Sequence, residues 1–401
     1  MNMRIGRHRV ALVALSFLVL AFTLAGRLVG DDGQREQTYN DLTTFTEVLH
    51  LVDTSYVDPV TEKKLMAGAF RGMLASLDSH SGWLNPEETR DVLAAHDGRI
   101  DAGVETTKRG GYAYVVRIMP GGPADMAGVK AGEYIRTIDG RTTREMSDLQ
   151  VRHLLAGTPD TRLHLNLFGD HQGREVELEL VPYALEPVYA TLDPGGVLVV
   201  TVQTMALGPG TVKALERLLR KPPEGTEKVL LDLRNVVGGQ EDDAVAFSDL
   251  FLDEGVIVRV DERGQEERVL SARAGTVWDG PLALLVNHLS AGPVEIIAAA
   301  LGRNGRAELL GERTFGNASL QRLIRLPDDS SIILSVGHYL DPKGVTWHQE
   351  GLAPDVPIGH DENEPATDGE TPERSSLELS REQLQRAIRY LLDKEAKEKA
   401  A

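Results

Sequence analysis

The chain has no cysteine in 401 residues, which excludes disulfides and thiol chemistry and leaves the redox compartment open. Basic residues are in deficit as well. With 43 Lys and Arg against 61 Asp and Glu, the formal charge is −18, which argues against nucleic acid or an anionic lipid surface as partner for the body of the protein. The 11 histidines form no His-x-x-x-His pair and no GxxxxGK[ST] loop occurs, so neither a metal nor a nucleotide nor any other cofactor is expected. What the chain does have is length and apolar content. At 41% hydrophobic, 401 residues suffice for two or three domains with cores of their own.

Arg4, Arg7 and Arg9 precede an uncharged, apolar run over residues 10–26, followed by Arg27 and the acidic Asp31 and Asp32. A positive flank, an apolar core and an acidic exit fit a signal anchor, or a signal peptide cleaved near Thr23-Leu24-Ala25. The run has 17 residues, the short end of the roughly 17–25 needed to span a bilayer. Residues 1–30 are therefore read as signal anchor or signal peptide. The remainder is expected outside the cytoplasm, on the periplasmic side of a cell envelope, anchored by one transmembrane helix or secreted.

Apolar spacing predicts helices over residues 39–98, with Asp58-Pro59 breaking the first and Asn85-Pro86-Glu87-Glu88 capping a later one. Residues 100–183 alternate as strands, as in YAYVVRI from Tyr112, around a segment MPGGPADMAGVKAGEYIRTIDG rich in turn residues. Strands and helices alternate over 187–357, which implies an α/β layer on a buried sheet. An acidic stretch poor in large apolar residues, 359–376, reads as a linker. A helix over 377–399 with Leu384, Ile388, Leu391 and Leu392 on one face reads as a docking element.

The centre of the chain is VNHLSAGPVEIIAAALGRNGRAELLGERTFGNASLQ, residues 286–321. It reads as strand end, tight turn, helix, strand and glycine-bearing loop. Such a turn delivers a helix N-terminus to the end of a buried strand, where N–H groups can face developing negative charge. The segment resembles the active-site stretch of the carboxyl-terminal processing peptidases, or tail-specific proteases, which use a Ser/Lys dyad. Their turn reads roughly S-A-S-A-S-E with the middle Ser attacking, and their later G-E-x-T-F-G-K-G-x-V-Q carries the lysine base. YVDPVTEKKLMAGAFRGMLASLDSHSGWLNPEE, LLDLRNVVGG and GHYLDPKGVTWHQEGLAPDV resemble other segments of that family, and MPGGPADMAGVKAGEYIRTIDG, residues 119–140, resembles a PDZ domain. The resemblance implies a multidomain α+β protein: an N-terminal helical segment, a PDZ-like β-rich domain, and an α/β processing-peptidase core of the β-spiral, crotonase-like kind.

Carried over position by position, the chemistry is missing. The nucleophile position is Gly292 and the base position Asn317. One oxyanion N–H in the family belongs to the residue after the nucleophile, here Pro293, which has none. The loop that supplies the other keeps Gly238 and Gly239, and Gln321, which orients the lysine in active members, is retained. Ser290, with His288 and Glu295 near it in sequence, is the one candidate for a displaced nucleophile; a turn hydroxyl bonding local backbone is the competing role.

A PDZ domain takes an extended or C-terminal peptide by strand addition. Its carboxylate loop would be Asp101-Ala102-Gly103-Val104, where an aspartate opposes a carboxylate, and its groove helix would present Leu149, Val151 and Leu155. The expected function is that of a proteolytically inactive, exported member that binds peptides or scaffolds envelope proteins, an active paralogous peptidase among the partners it could serve. The alternative is a serine endopeptidase working through a displaced nucleophile.

Overall fold

The structure, a computed structural model, describes residues 40–94, 99–169, 172–205, 208–359 and 376–400. Residues 1–30, expected as signal anchor or signal peptide, and nearly all of the stretch 359–376, expected as a linker, lie outside the described residues. Two compact units result, Met1–Phe70 and Arg71–Ala401. The first contributes the helix 40–55 and the opening turns of the helix Glu62–Ala75. On helix 40–55, Leu42, Phe45, Val48 and Leu51 recur every three residues and all four are exposed. Among the described residues no helix is long and apolar enough to cross a membrane.

The second unit is built on a six-stranded sheet. Its order runs Val188–Leu192, Val197–Val202, Lys228–Asp232, Leu282–Val286, Glu308–Gly311, Val356–Pro357, parallel but for the first strand. Side chains alternate between two apolar layers, as a period of two requires. Leu198, Val200, Val202, Leu231 and Leu284 pack under the helices Pro209–Arg220, Glu241–Asp249 and Pro293–Arg303. Val197, Val199, Leu230, Ala283 and Leu285 face the C-terminal helix Ser376–Ala400, which buries Ala387 and Ile388 against them. That helix is the docking element expected from its apolar face.

A second sheet joins Gly82–Leu84, Ser331–Leu340, Val256–Glu262 and Arg268–Ser271, with Ser319–Arg325 pairing to Ser331–Leu340. This corrects one expectation: residues 82–84, read as part of a helical stretch, form a strand with Trp83 buried. Three residues are too few for a period to be seen. The helix after it starts where the capping residues put it, with Asn85 Oδ1 accepting the N–H groups of Glu87 and Glu88 and Glu88 returning to the Asn85 N–H.

Residues 100–180 form a domain around the sheet Val104–Arg109, Tyr112–Ile118, Tyr134–Ile138, Arg162–Gly169, Gln172–Glu179. Val104–Arg109 is an edge strand of this sheet, and the helix Asp148–Leu154 lies beside it. This domain docks on the core through Arg117. Its guanidinium donates to the carbonyls of Val202, Gln203 and Asn235 at 3.1 Å each and of Arg234 at 2.5 Å. Beside it, Val116 packs on Val237 and Ala291. Four carbonyls at strand ends and a loop are thus satisfied by one planar donor set, which fixes the relative placement of domain and core.

Candidate functional site

The strand Leu282–Val286 ends in a turn that enters the helix Pro293–Arg303 at Gly292, whose backbone stands at φ 68, ψ −126. This lies in positive-φ space that a residue with a Cβ adopts at a cost of roughly 1–3 kcal/mol. It is also the sharp strand-to-helix turn on which nucleophiles are mounted. Glycine takes it without strain. A Cβ built here would meet nothing within 4 Å, so space for a side chain remains although the side chain does not.

One buried carboxylate holds this turn to the loop that carries Asn317. Glu295, wholly inaccessible to solvent, accepts the Gly292 N–H at 3.0 Å, the Asn317 N–H at 2.8 Å, the Gly316 N–H at 2.7 Å and the Thr314 hydroxyl at 2.5 Å. Burial pushes its carboxyl above the usual range, against the pull of those four donors. The positions expected for nucleophile and base are therefore fixed relative to each other by a third residue.

Ser290 is also fully buried. Its hydroxyl donates to the Leu233 carbonyl at 2.9 Å, accepts the Asn287 N–H at 3.0 Å and lies 3.3 Å from the Asn287 amide oxygen. Asn287 in turn binds Asn235 through both its amide oxygen and its amide nitrogen. The hydroxyl thus ties strand ends together, and its partners are backbone and amide groups, not a base. His288 turns the other way, to Glu312 at 2.8 Å on the surface.

On the opposite side of the turn, Gly238 and Gly239 both have positive φ, and a Cβ on Gly239 would come within 2.8 Å of Met205. The neighbouring Val237 N–H points at Glu105 Oε2, 3.3 Å away. Glu105 comes from the edge strand of the docked domain and is 8% exposed. Burial drives its carboxyl up to about 7, opposed by the Arg117 charge, the Thr204 hydroxyl and the Val237 N–H.

A cavity of about 440 Å³ joins these parts. Gly292, Pro293, Asn317 and Gln321 line one wall, Gly238 and Gly239 a second, and Asp101, Glu105, Asp148 and Arg152 of the docked domain a third. Of the residues expected to form the peptide groove, Asp101, Val104 and Leu155 reach this cavity. Ala102 and Val151 are spent on the domain's own core, Gly103 forms the loop behind the groove, and Leu149 stays half-buried away from the cavity. The helix runs Asp148–Leu154 with Ser147 as its cap, and residues 156–157 leave it to pair with Ile100–Asp101.

Glu105, Arg117, Arg152, Tyr183 and the His80–Asp148 pair at 2.7 Å were not singled out by sequence reasoning. Each is one charged or polar residue in a strand, helix or loop; Glu105 and Arg117 sit opposite each other on paired strands, with Asp148 and Arg152 on the helix beside them. Among the described residues no group of three or more His, Cys, Asp or Glu is placed to hold a metal ion.

Comparison with known proteins bears on the same segments. Residues 196–358 match peptidase family S41, 114–167 match the PDZ domain, and 25–87 match the N-terminal domain of the activating protease CtpB. A carboxy-terminal-processing protease of Bartonella bacilliformis is 30% identical over 367 residues, covering 88% of this chain and 82% of that protein. A carboxyl-terminal-processing protease of Picosynechococcus is 30% identical over 304 residues, covering 72% and 73%. Among solved structures, the photosystem II D1 C-terminal processing protease superposes with a TM-score of 0.62 at 28% identity, over 78% of this chain and 92% of that one.

Proposed function

This chain belongs to the carboxy-terminal-processing proteases of peptidase family S41, and from that membership we propose that it is a member retaining the peptide groove without the peptidase chemistry. The observation that carries the reading is the turn itself, Gly292 followed by Pro293, held against Asn317 by Glu295. Acyl transfer needs an oxygen nucleophile, a base to take its proton and N–H donors for the oxyanion. Gly292 offers no hydroxyl. Asn317 is a neutral amide, Pro293 has no N–H, and the Val237 N–H opposite already serves the Glu105 carboxylate.

In this reading the protein is exported by residues 1–30, remains anchored or is released outside the cytoplasm, and binds extended peptides or scaffolds envelope proteins, including an active paralogous peptidase. The test is direct. Purified protein incubated with an unfolded polypeptide should leave it intact to the level of buffer alone; cleavage above that level that disappears in Ser290→Ala would replace this reading with a displaced-nucleophile enzyme. For location, a reporter active only in the cytoplasm and fused after Ala401 should stay silent.

A further inference from the structure

The groove strand Val104–Arg109 pairs on one side with Tyr112–Ile118, and its other edge faces the cavity. An open edge beside a helix accepts an added strand. The pairing register slips between Glu105 and Thr106. The extra residue of this bulge is Val116 of the partner strand, so Glu105 and Thr106 keep opposite faces, Glu105 that of Arg117 and Thr106 that of Val115, and with Val104 and Thr107 they line the cavity.

Both are also left with an unmet acceptor. Glu105 Oε1 and Thr106 Oγ1 are buried and without a hydrogen-bond partner, while the residues are 8% and 6% exposed. An uncompensated buried carboxylate oxygen is costly, and the group responds by holding a proton, in keeping with the rise of its pKa to about 7. The charges of Arg117 and Arg152 offset this only in part, and neither guanidinium bonds the free oxygen. Arg117 is engaged with four backbone carbonyls, and Arg152, across the groove on the helix, lies against Gly238. Asp101 and Asp148 line the same cavity, and the protein as a whole carries a formal charge of −18.

At the carboxylate loop, Asp101 accepts the Gly103 N–H at 2.7 Å and the Tyr183 hydroxyl at 2.7 Å. The chain's own carboxylate thus stands where a terminal one would be received. We propose that the cavity takes an internal, extended peptide segment bearing an arginine, whose guanidinium pairs with the Glu105 carboxyl while its backbone extends the groove strand. A guanidinium fits because it presents several donors in a fixed plane and stays charged. The proposal rests on the peptide-binding reading given above and specifies its ligand.

The experiment uses the full chain and fluorescein-labelled decapeptides of alanine, valine and threonine with one central arginine, acetylated and amidated at their ends, read by anisotropy. Replacing arginine by citrulline keeps the shape and removes the charge; affinity should fall about tenfold or more. In Glu105→Gln the same replacement should cost about twofold or less. Equal affinity of the arginine and citrulline peptides for the unmodified protein overturns the inference and leaves the peptide-binding reading standing. That comparison needs no variant, so it decides even if Glu105→Gln unfolds. An equal loss in both proteins also overturns it. Absence of binding by every peptide, including one with a free carboxyl end, overturns inference and reading together.

Discussion

The carboxylate of Asp101 accepts the N–H of Gly103 across 2.7 Å, so the loop that would receive a peptide terminus is already engaged with a side chain two residues back. Asp101→Gly should release that N–H. Binding of a peptide with a free carboxyl end should tighten about five- to tenfold relative to its amidated form. Isothermal titration of both forms against both proteins measures the ratio, and Tyr183→Phe serves as control because the tyrosine hydroxyl also loses Asp101 as acceptor.

Restoring chemistry should require all three lost parts at once. Gly292→Ser has room for its Cβ but must hold φ near 68, and without a base its hydroxyl stays a poor nucleophile. The single variant is expected to remain at buffer background in a casein-cleavage assay. Gly292→Ser with Pro293→Ala and Asn317→Lys should cleave above it, since members of a catalytic unit contribute non-additively.

Ser290→Ala separates a structural hydroxyl from a reactive one. Its removal leaves the buried Leu233 carbonyl and Asn287 N–H each short of a partner. Stability in urea should drop by about 1–3 kcal/mol. A fluorophosphonate probe should label neither the unmodified protein nor the variant.

Glu105 should make stability depend on pH. Its folded pKa is raised from 4.5 to about 7, so the folded protein binds more protons than the unfolded chain between those values. Stability therefore falls as pH rises through that window, by up to about 3 kcal/mol if the whole shift is expressed. Glu105→Gln should flatten this slope. Urea midpoints at pH 5 and pH 8 give the comparison, with the variant gaining relative to the unmodified protein at the higher value.

The elements with strong periodicity were legible. Within the stretch 187–357, read as alternating strands and helices, the unbroken apolar runs form the strands Val197–Val202 and Leu282–Val286, and the amphipathic Pro209–Arg220 a helix. The strands Val256–Glu262 and Ser331–Leu340 were not, because each is covered partly by the other and partly by half-exposed neighbours, so neither alternates cleanly. At the site, Gly292, Pro293, Asn317 and Gln321 line one cavity. Glu105 could not be anticipated. In V-E-T-T-K it reads as a solvent-facing strand residue, and it is buried only because Arg117 carries its domain onto the core.

The glycine at the turn changes what the Glu295 clamp does. Were a serine mounted at φ 68, the four hydrogen bonds to Glu295 would work against a steric recoil, and the turn would behave as a loaded spring. With glycine there is no recoil to resist. The same bonds brace an already relaxed backbone, so the floor of the cavity should be stiffer than its strained counterpart, and its slowest amide exchange should sit at Gly292, Gly316 and Asn317, the three N–H groups that the carboxylate holds.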